Sequence, residues 1–437
     1  MFNFKEKVIK VEDAVKLVKN GYNVATGLGA SEAQDFMANL HLALDGGVED
    51  LRVTNYLPQK IYPFMDVEYK GKVFVDSMFY TGVSRKLEEQ GMGYFVPNNL
   101  SLSGVDRLRH RKPNIYVGAA SKVDEHGYMS LSTSNVYERR MIDAADIVIL
   151  EANPNYPRTF GDVLMHVSEV DYIIESNYEP PVLPSSEPNE KDMIIGKLIA
   201  DVIEDGDCIQ LGIGGIPNAV AKFLYDKKDL GVHTEMLTSE IANLSEAGVI
   251  NGSKKTLHKG KIVTAFILGD KKLYEFADNN PAVEVYDARY TNDPFVIGKN
   301  DNQVSINTAI EVDLTGQVSS ESIGSRQFSG TGGQADTARG AMLAENGRSI
   351  IALYSTAMIR DKATGERVEK SKIVSRLTPG AYVTLQRQDV DMVVTEYGIA
   401  KLKGKNVGER IESLIEIAHP DFRDELRENA KEYGLLK

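Results

Sequence analysis

The sequence has little that would tie it to a membrane, a nucleic acid or an oxidising compartment. Cys208 is the one cysteine in 437 residues, so no disulfide can close within the chain and no thiolate cluster can hold a metal. Its setting, Asp207-Cys208-Ile209-Gln210-Leu211, reads as a buried strand, and the thiol as an inert core group. The seven histidines are scattered, with no His-Glu-x-x-His or other close ligand pair. His166, in Met165-His166-Val167-Ser168-Glu169, reads as a satisfied core residue. No apolar run approaches the length of a membrane span. The opening Met1-Phe2-Asn3-Phe4-Lys5-Glu6-Lys7 lacks the apolar stretch of an export signal. Together these absences give the expectation of a cytoplasmic protein that needs no metal.

Excess positive charge is also missing. The formal net charge is −13, with the acids spread along the chain. Nucleic acids and anionic membranes are held by basic patches, so neither is an expected partner. An anionic small substrate stays open, because a few local donors outweigh distant net charge. Apolar residues make up 42% and charged residues 26%, the balance of a globular chain. Its length exceeds one ordinary hydrophobic core, which predicts two domains.

Strand and helix patterns alternate. The stripe Val11, Ala14, Val15 and Val18 predicts a helix over 11–19, stopped by Asn20-Gly21. Strands are predicted at 23–26, 114–117, 147–150, 208–211, 262–268, 304–312, 350–353 and 392–395. Such alternation favours α/β layers with mostly parallel sheets. The stretch Tyr178 to Asn189 contains Pro180, Pro181, Pro184 and Pro188 and predicts an extended linker. On this reading residues 1–179 form an N-terminal α/β domain, 180–189 the linker and 190–437 a C-terminal α/β domain.

The two parts echo each other. Gly21, Gly27 and Gly29 recur at one constant offset as Gly206, Gly212 and Gly214. Val123-Asp124-Glu125-His126-Gly127 recurs as Val312-Asp313-Leu314-Thr315-Gly316, each reading as a tight turn with glycine at an unusual backbone angle. Either the domains are duplicated or two α/β units share glycine spacing by chance.

Several segments could carry chemistry. Leu211-Gly212-Ile213-Gly214-Gly215-Ile216-Pro217 leaves a strand and enters a helix. Its glycines allow close backbone approach, and a helix N-terminus offers free N–H donors. It is not a dinucleotide fingerprint: the third glycine's slot holds Pro217, and Glu32 in the first domain. The run Ser329-Gly330-Thr331-Gly332-Gly333-Gln334 is too glycine-dense for an ordinary turn. Glu235, in His233-Thr234-Glu235-Met236, and Glu396, in Thr395-Glu396-Tyr397-Gly398, are each a functional carboxylate or a structural one by local pattern alone.

In order and spacing these segments, with Ser322-Ile323-Gly324 and Phe328-Ser329-Gly330, resemble the family I CoA-transferases, in the acetyl-CoA hydrolase/transferase branch. Within it the likeness is to enzymes acting on 4-hydroxybutyrate and on butyryl-CoA with acetate. The resemblance implies two similar open α/β domains in tandem with the active site between them. It implies that Glu235 is the nucleophile that becomes a glutamyl-CoA thioester, with Glu396 and Asn292 as further active-site residues. It implies that Gly212, Ile213, Gly214, Gly215, Ile216 and Gly333 supply backbone contacts to coenzyme A and to oxyanions, and that Ile310 adds one more. Acyl-CoA and short-chain carboxylates would be the substrates, no cofactor would be permanently bound, and a homo-oligomer is the family expectation. An acyl-CoA hydrolase on the same scaffold is the alternative. Gly27-Leu28-Gly29-Ala30-Ser31 and Phe95-Val96-Pro97-Asn98-Asn99-Leu100 fall where the first domain would shape the acyl pocket. They depart from the pattern of a strict 4-hydroxybutyrate enzyme, which leaves the acyl group open.

Overall fold

The computed structural model describes residues 4–360 and 365–437. Met1, Phe2 and Asn3 of the opening segment lie outside the described residues. Two compact units are present: residues 1–184, 234–242 and 261–293 form the first, and 185–233, 243–260 and 294–437 the second. The first boundary falls inside the proline-rich stretch. Segments 234–242 and 261–293, which sequence order assigns to a C-terminal domain, group with the first unit. The reason is pairing. Ile262–Ile267 pairs in parallel with Val283–Val285, which pairs with Phe160–Gly161, and Ile267 donates its N–H to Thr133. A Cβ at Gly161 would come within 2.3 Å of the Val285 carbonyl, so only glycine lets these strands meet.

The first unit contains a seven-stranded parallel sheet. Asn23–Thr26 lies at its centre, with Leu51–Thr54, Val73–Ser77 and Gly93–Phe95 on one side and Ile115–Ser121, Ile147–Asn153 and Tyr172–Glu175 on the other. Its core is an apolar cluster that includes Val24, Phe36, Met37, Leu51, Val53, Phe64, Val75 and Val117. In the second unit Cys208–Leu211 lies between Gln303–Thr308 and the start of Gly231–Leu237. The order continues through Arg348–Ala352 and Met392–Thr395 to the antiparallel Gly398–Lys401. All four residues of Cys208–Leu211 are buried, as expected of a parallel strand covered on both faces.

The glycine echo is structural. Asn23–Thr26 and Cys208–Leu211 occupy the same offset as their flanking glycines and the same place in their sheets. Each is the switch point where the chain builds first one side and then the other, and in such sheets ligands bind beyond the strands' carboxyl ends. The turn echo holds as well. The Asp124 carboxylate accepts from the N–H of His126 and Tyr128, and that of Asp313 from Thr315 and Gln317. Gly127 and Gly316 close these turns at φ of 83° and 97°.

Some local expectations shift. The predicted helix over 11–19 is α-helical only at Val11–Val15, because Leu17 and Val18 donate three residues back and tighten the chain into turns. The predicted strand 304–312 breaks into Gln303–Thr308 and Glu311–Asp313, since the Ile310 N–H turns aside to Ser319. His166 is not a core residue. It is half-buried and caps Val167–Glu169, its Nδ1 within 2.7 Å of Ser168 Oγ. Cys208 is buried, and desolvation pushes its thiol up to about 11, so it is inert near neutrality. Among the described residues no helix is long and apolar enough to cross a membrane.

Two buried carboxyls brace the chain after the first glycine loop. Glu32 accepts from Asn55 Nδ2 at 2.8 Å, the Gln59 N–H at 3.0 Å and the Tyr62 hydroxyl at 2.9 Å. Glu151 accepts from the Phe36 N–H at 2.6 Å and from the Tyr178 hydroxyl. Desolvation raises Glu32 to about 7 and Glu151 to about 8, outweighing these donors. Each tyrosine hydroxyl can turn from donor to acceptor, so the protonated carboxyls remain satisfied. Folding therefore takes up protons from about pH 4.5, the ordinary carboxyl range, up to about pH 8. The resulting stabilisation is complete at the acid end and is lost as pH rises through the raised values. The urea midpoint is expected to fall between about pH 4.5 and pH 8, and Glu32→Gln with Glu151→Gln should flatten that slope. An unchanged slope in the double variant would remove these two groups as its source.

Candidate active site

Glu235 stands on the strand Gly231–Leu237, where its neighbours are buried and it alone is half-buried. The Thr264 hydroxyl, on Ile262–Ile267, lies between the Glu235 carbonyl at 3.1 Å and the Phe266 carbonyl at 2.9 Å, with one proton to donate to either. Asn292 donates its side-chain amide to Glu235 Oε2 at 3.2 Å. Asn292 is fully buried, and its Oδ1 has no partner among the described residues. It closes the one-turn helix Ala288–Thr291, and that helix packs on Leu100–Leu102. The Phe95–Leu100 segment that leads into this contact is pinned by Asn98, which accepts from the Tyr56 hydroxyl at 3.1 Å. Glu235, Asn292 and this segment all belong to the first unit.

The glycine loops and Glu396 belong to the second unit. Gly212, Ile213 and Gly214 leave Cys208–Leu211 as an open loop, with Ile213 48% exposed. Gly214 has φ of 115°, and neither Gly212 nor Gly214 has anything within 4 Å of where a Cβ would stand. Space therefore does not require these two glycines, although conformation does require Gly214. Gly215 has a different cause. A Cβ there would fall 2.2 Å from the Asp192 carboxylate, which sits under the start of the helix Gly215–Lys222. Ile216 is buried in that helix and contributes packing.

Gly333 is the N-cap of Gln334–Leu343. Its carbonyl accepts from Thr337 at 2.8 Å. The Gln334 side-chain nitrogen beside it is buried without a partner among the described residues. Sequence reasoning missed what holds this loop. Glu321, 7% exposed, accepts from the Thr331 hydroxyl at 3.1 Å, and its carbonyl accepts from the N–H of Phe328 and Ser329. In Ser319-Ser320-Glu321-Ser322 no spacing signals that role. Ile310 has its N–H committed to Ser319 at 2.9 Å, so only its carbonyl or side chain is left for a ligand.

Glu396 is held from three directions: by the Ser355 N–H and hydroxyl, each at 2.8 Å, and by the Lys191 ammonium at 2.9 Å. Burial would raise its pKa, but these donors together hold it below the ordinary glutamate value. It is a fixed carboxylate, held by three donor groups. Lys191 was also missed, since nothing in Asn189-Glu190-Lys191 marks it.

The chain matches family models over both parts: the acetyl-CoA hydrolase/transferase N-terminal domain over 2–184 and the C-terminal domain over 269–430. It is 41% identical over 435 residues to a 4-hydroxybutyrate coenzyme A transferase of Clostridium kluyveri, covering 98% of each chain. It is 40% identical to a butyryl-CoA:acetate CoA-transferase of Anaerostipes caccae, covering 80% of this chain and 79% of that one. The solved 4-hydroxybutyrate CoA-transferase of Porphyromonas gingivalis superposes with a TM-score of 0.82 at 34% identity, covering 98% of each chain. An acetyl-CoA hydrolase of Yarrowia lipolytica is more distant, at 27% identity over 77% of this chain and 71% of that one. The chain belongs to the family I CoA-transferases, in the acetyl-CoA hydrolase/transferase branch.

Proposed function

We propose that the protein transfers coenzyme A from a short-chain acyl-CoA, such as butyryl-CoA or 4-hydroxybutyryl-CoA, to a carboxylate such as acetate. On this reading it works in the cytoplasm and needs no bound cofactor. The observation that carries the proposal is the Asn292 amide on Glu235 Oε2. It orients one carboxylate oxygen of a half-buried glutamate with a fully buried amide donor. The identities to 4-hydroxybutyrate and butyryl-CoA:acetate transferases support the substrate class.

A carboxylate is a poor nucleophile toward a thioester in water, but proximity and partial dehydration raise its competence. Glu235 attacks the acyl carbonyl, the C–S bond breaks, and a mixed anhydride and CoA thiolate result. The thiolate attacks the glutamyl carbonyl and expels the first carboxylate, leaving coenzyme A on Glu235. The acceptor carboxylate attacks this thioester, thiolate departs, and thiolate then attacks the acceptor's acyl carbonyl and restores Glu235. Each step exchanges one acyl bond for another, with no net proton or electron. Every tetrahedral intermediate carries an oxyanion. Backbone N–H groups near Ile213, Gly214 and Gly333 are the proposed donors, each worth roughly 3 kcal/mol in comparable sites. The distal part of coenzyme A supplies binding energy away from the reacting atoms.

The test is a product assay with butyryl-CoA, with and without acetate. Transfer gives acetyl-CoA only when acetate is present, and double-reciprocal plots should be parallel because butyrate leaves before acetate reacts. Free CoA without acetate would indicate the hydrolase instead, and intersecting lines would indicate direct attack in a ternary complex. The glycine loop has its own test. A methyl group at Gly212 meets no protein atom within 4 Å, so Gly212→Ala should leave the thermal midpoint unchanged. If the backbone approaches the ligand there, kcat/KM for acyl-CoA should fall about a hundredfold. Unchanged kcat/KM would demote the loop to a turn.

A further inference from the structure

The helix that presents Asn292 to Glu235 has four residues, Ala288–Thr291. A single turn has no stability of its own, because nucleating it costs more than its few hydrogen bonds return. Its placement must come from its ends. At the far end is Asp287. Its Oδ1 accepts from the Arg289 N–H at 2.6 Å, and its carbonyl accepts from Tyr290 at 2.8 Å and Thr291 at 3.0 Å. Its Oδ2 faces Arg140 Nε at 2.7 Å. The next N–H, that of Ala288, is taken by the Asn135 carbonyl at 3.2 Å. At the near end Asn292 donates its own N–H to the Ala288 carbonyl at 2.9 Å. One turn of hydrogen-bonded backbone thus connects the Asp287 carboxylate to the Asn292 amide.

Arg140 is positioned by its helix and faces Asp287 as an ion pair. It belongs to the helix Glu138–Ala144. Gly104, on Ser103–His110, lets the two helices approach, since a Cβ there would stand 3.2 Å from Arg140 Cδ. The Asp287 side chain is 11% exposed and that of Arg140 38%, so the carboxylate is shielded while the guanidinium stays partly open to solvent. Burial raises Asp287 to about 6, and Arg140 works against that rise. Arg140, Asp287, Asn292 and Glu235 all lie in the first unit.

We propose that the Arg140–Asp287 ion pair is a positioning device for the nucleophile. It anchors the one-turn helix whose opposite end holds the Glu235 carboxylate in its attack geometry. The proposal rests on the reading of Glu235 as nucleophile and names the residues that set its aim. Neither residue need touch the substrate, so its signature is a loss of turnover without a matching loss of binding.

The experiment uses the full-length protein with butyryl-CoA and acetate. Asp287→Asn keeps an oxygen to accept from Arg289 but removes the charge that Arg140 faces. The expected result is a kcat reduced about a hundredfold with KM for butyryl-CoA within about twofold of wild type. Arg140→Met should reproduce the loss, and Arg140→Lys should recover part of it. Because the effect runs through Asn292, adding Asp287→Asn to Asn292→Ala should cost little beyond Asn292→Ala alone. Additive losses would overturn the proposal, as would wild-type kcat in folded Asp287→Asn. If Asp287→Asn fails to unfold cooperatively, the two Arg140 variants decide the question: wild-type kcat in folded Arg140→Met would overturn the proposal equally. Labelling separates the two readings. Wild-type turnover without coenzyme A on Glu235 would sink the nucleophile assignment. Coenzyme A on Glu235 with normal turnover in Asp287→Asn would sink the positioning role alone.

Discussion

A glutamate on an exposed strand would be one of many surface acids. Glu235 differs because a fully buried amide, that of Asn292, donates to one of its carboxylate oxygens. The rest of the proposed chemistry depends on that contact. A free carboxylate samples rotamers, and each misplacement of about 1 Å can cost about two orders of magnitude in rate. Holding it demands a donor that cannot itself move. The chain meets that demand by burying Asn292 at the end of a helix tied to Asn135, Asp287 and Leu100–Leu102.

Each unit carries its own set of candidate residues. The first carries Glu235, the proposed nucleophile, and the bracing network of Glu32, Glu151 and their tyrosines. The second carries the glycine loops and Glu396. The duplicated strands explain how one architecture came to serve two purposes. Asn23–Thr26 and Cys208–Leu211 hold the same place in their sheets, yet their loops diverge. Gly27 is packed against Ser31, where a Cβ would stand 2.2 Å from the Ser31 carbonyl, whereas Gly212 opens onto empty space. One copy keeps a closed turn braced by a buried acid, and the other keeps an open backbone.

Much of this was legible in the sequence, for identifiable reasons. The α/β character, the central strands and the duplication followed from apolar periodicity and glycine placement, because those patterns act locally. Motifs in a fixed order singled out Glu235 and the glycine loops as candidates for the roles proposed. What stayed hidden depends on contacts far apart in the chain. No local pattern shows that Lys191 reaches Glu396, that Glu321 holds the Ser329–Gly333 loop, or that Arg140 faces Asp287. The misread His166 has the same origin: an amphipathic side chain in an apolar run looks like core until its capping role is seen. Gly215 and Ile216, grouped with the ligand loop by motif, also have sufficient explanations in packing against Asp192 and in the helix core.

The central claim is that coenzyme A becomes covalently attached to one side chain. It is tested most directly by incubating the protein with butyryl-CoA and no acceptor, treating it with borohydride, and mapping the peptides by mass. Borohydride reduces a thioester and leaves a carboxylate untouched. The account predicts a reduced side chain at Glu235 that depends on butyryl-CoA and disappears when acetate is added first. Reduction at Glu396 instead, or no butyryl-CoA-dependent reduction in an actively transferring protein, would contradict it.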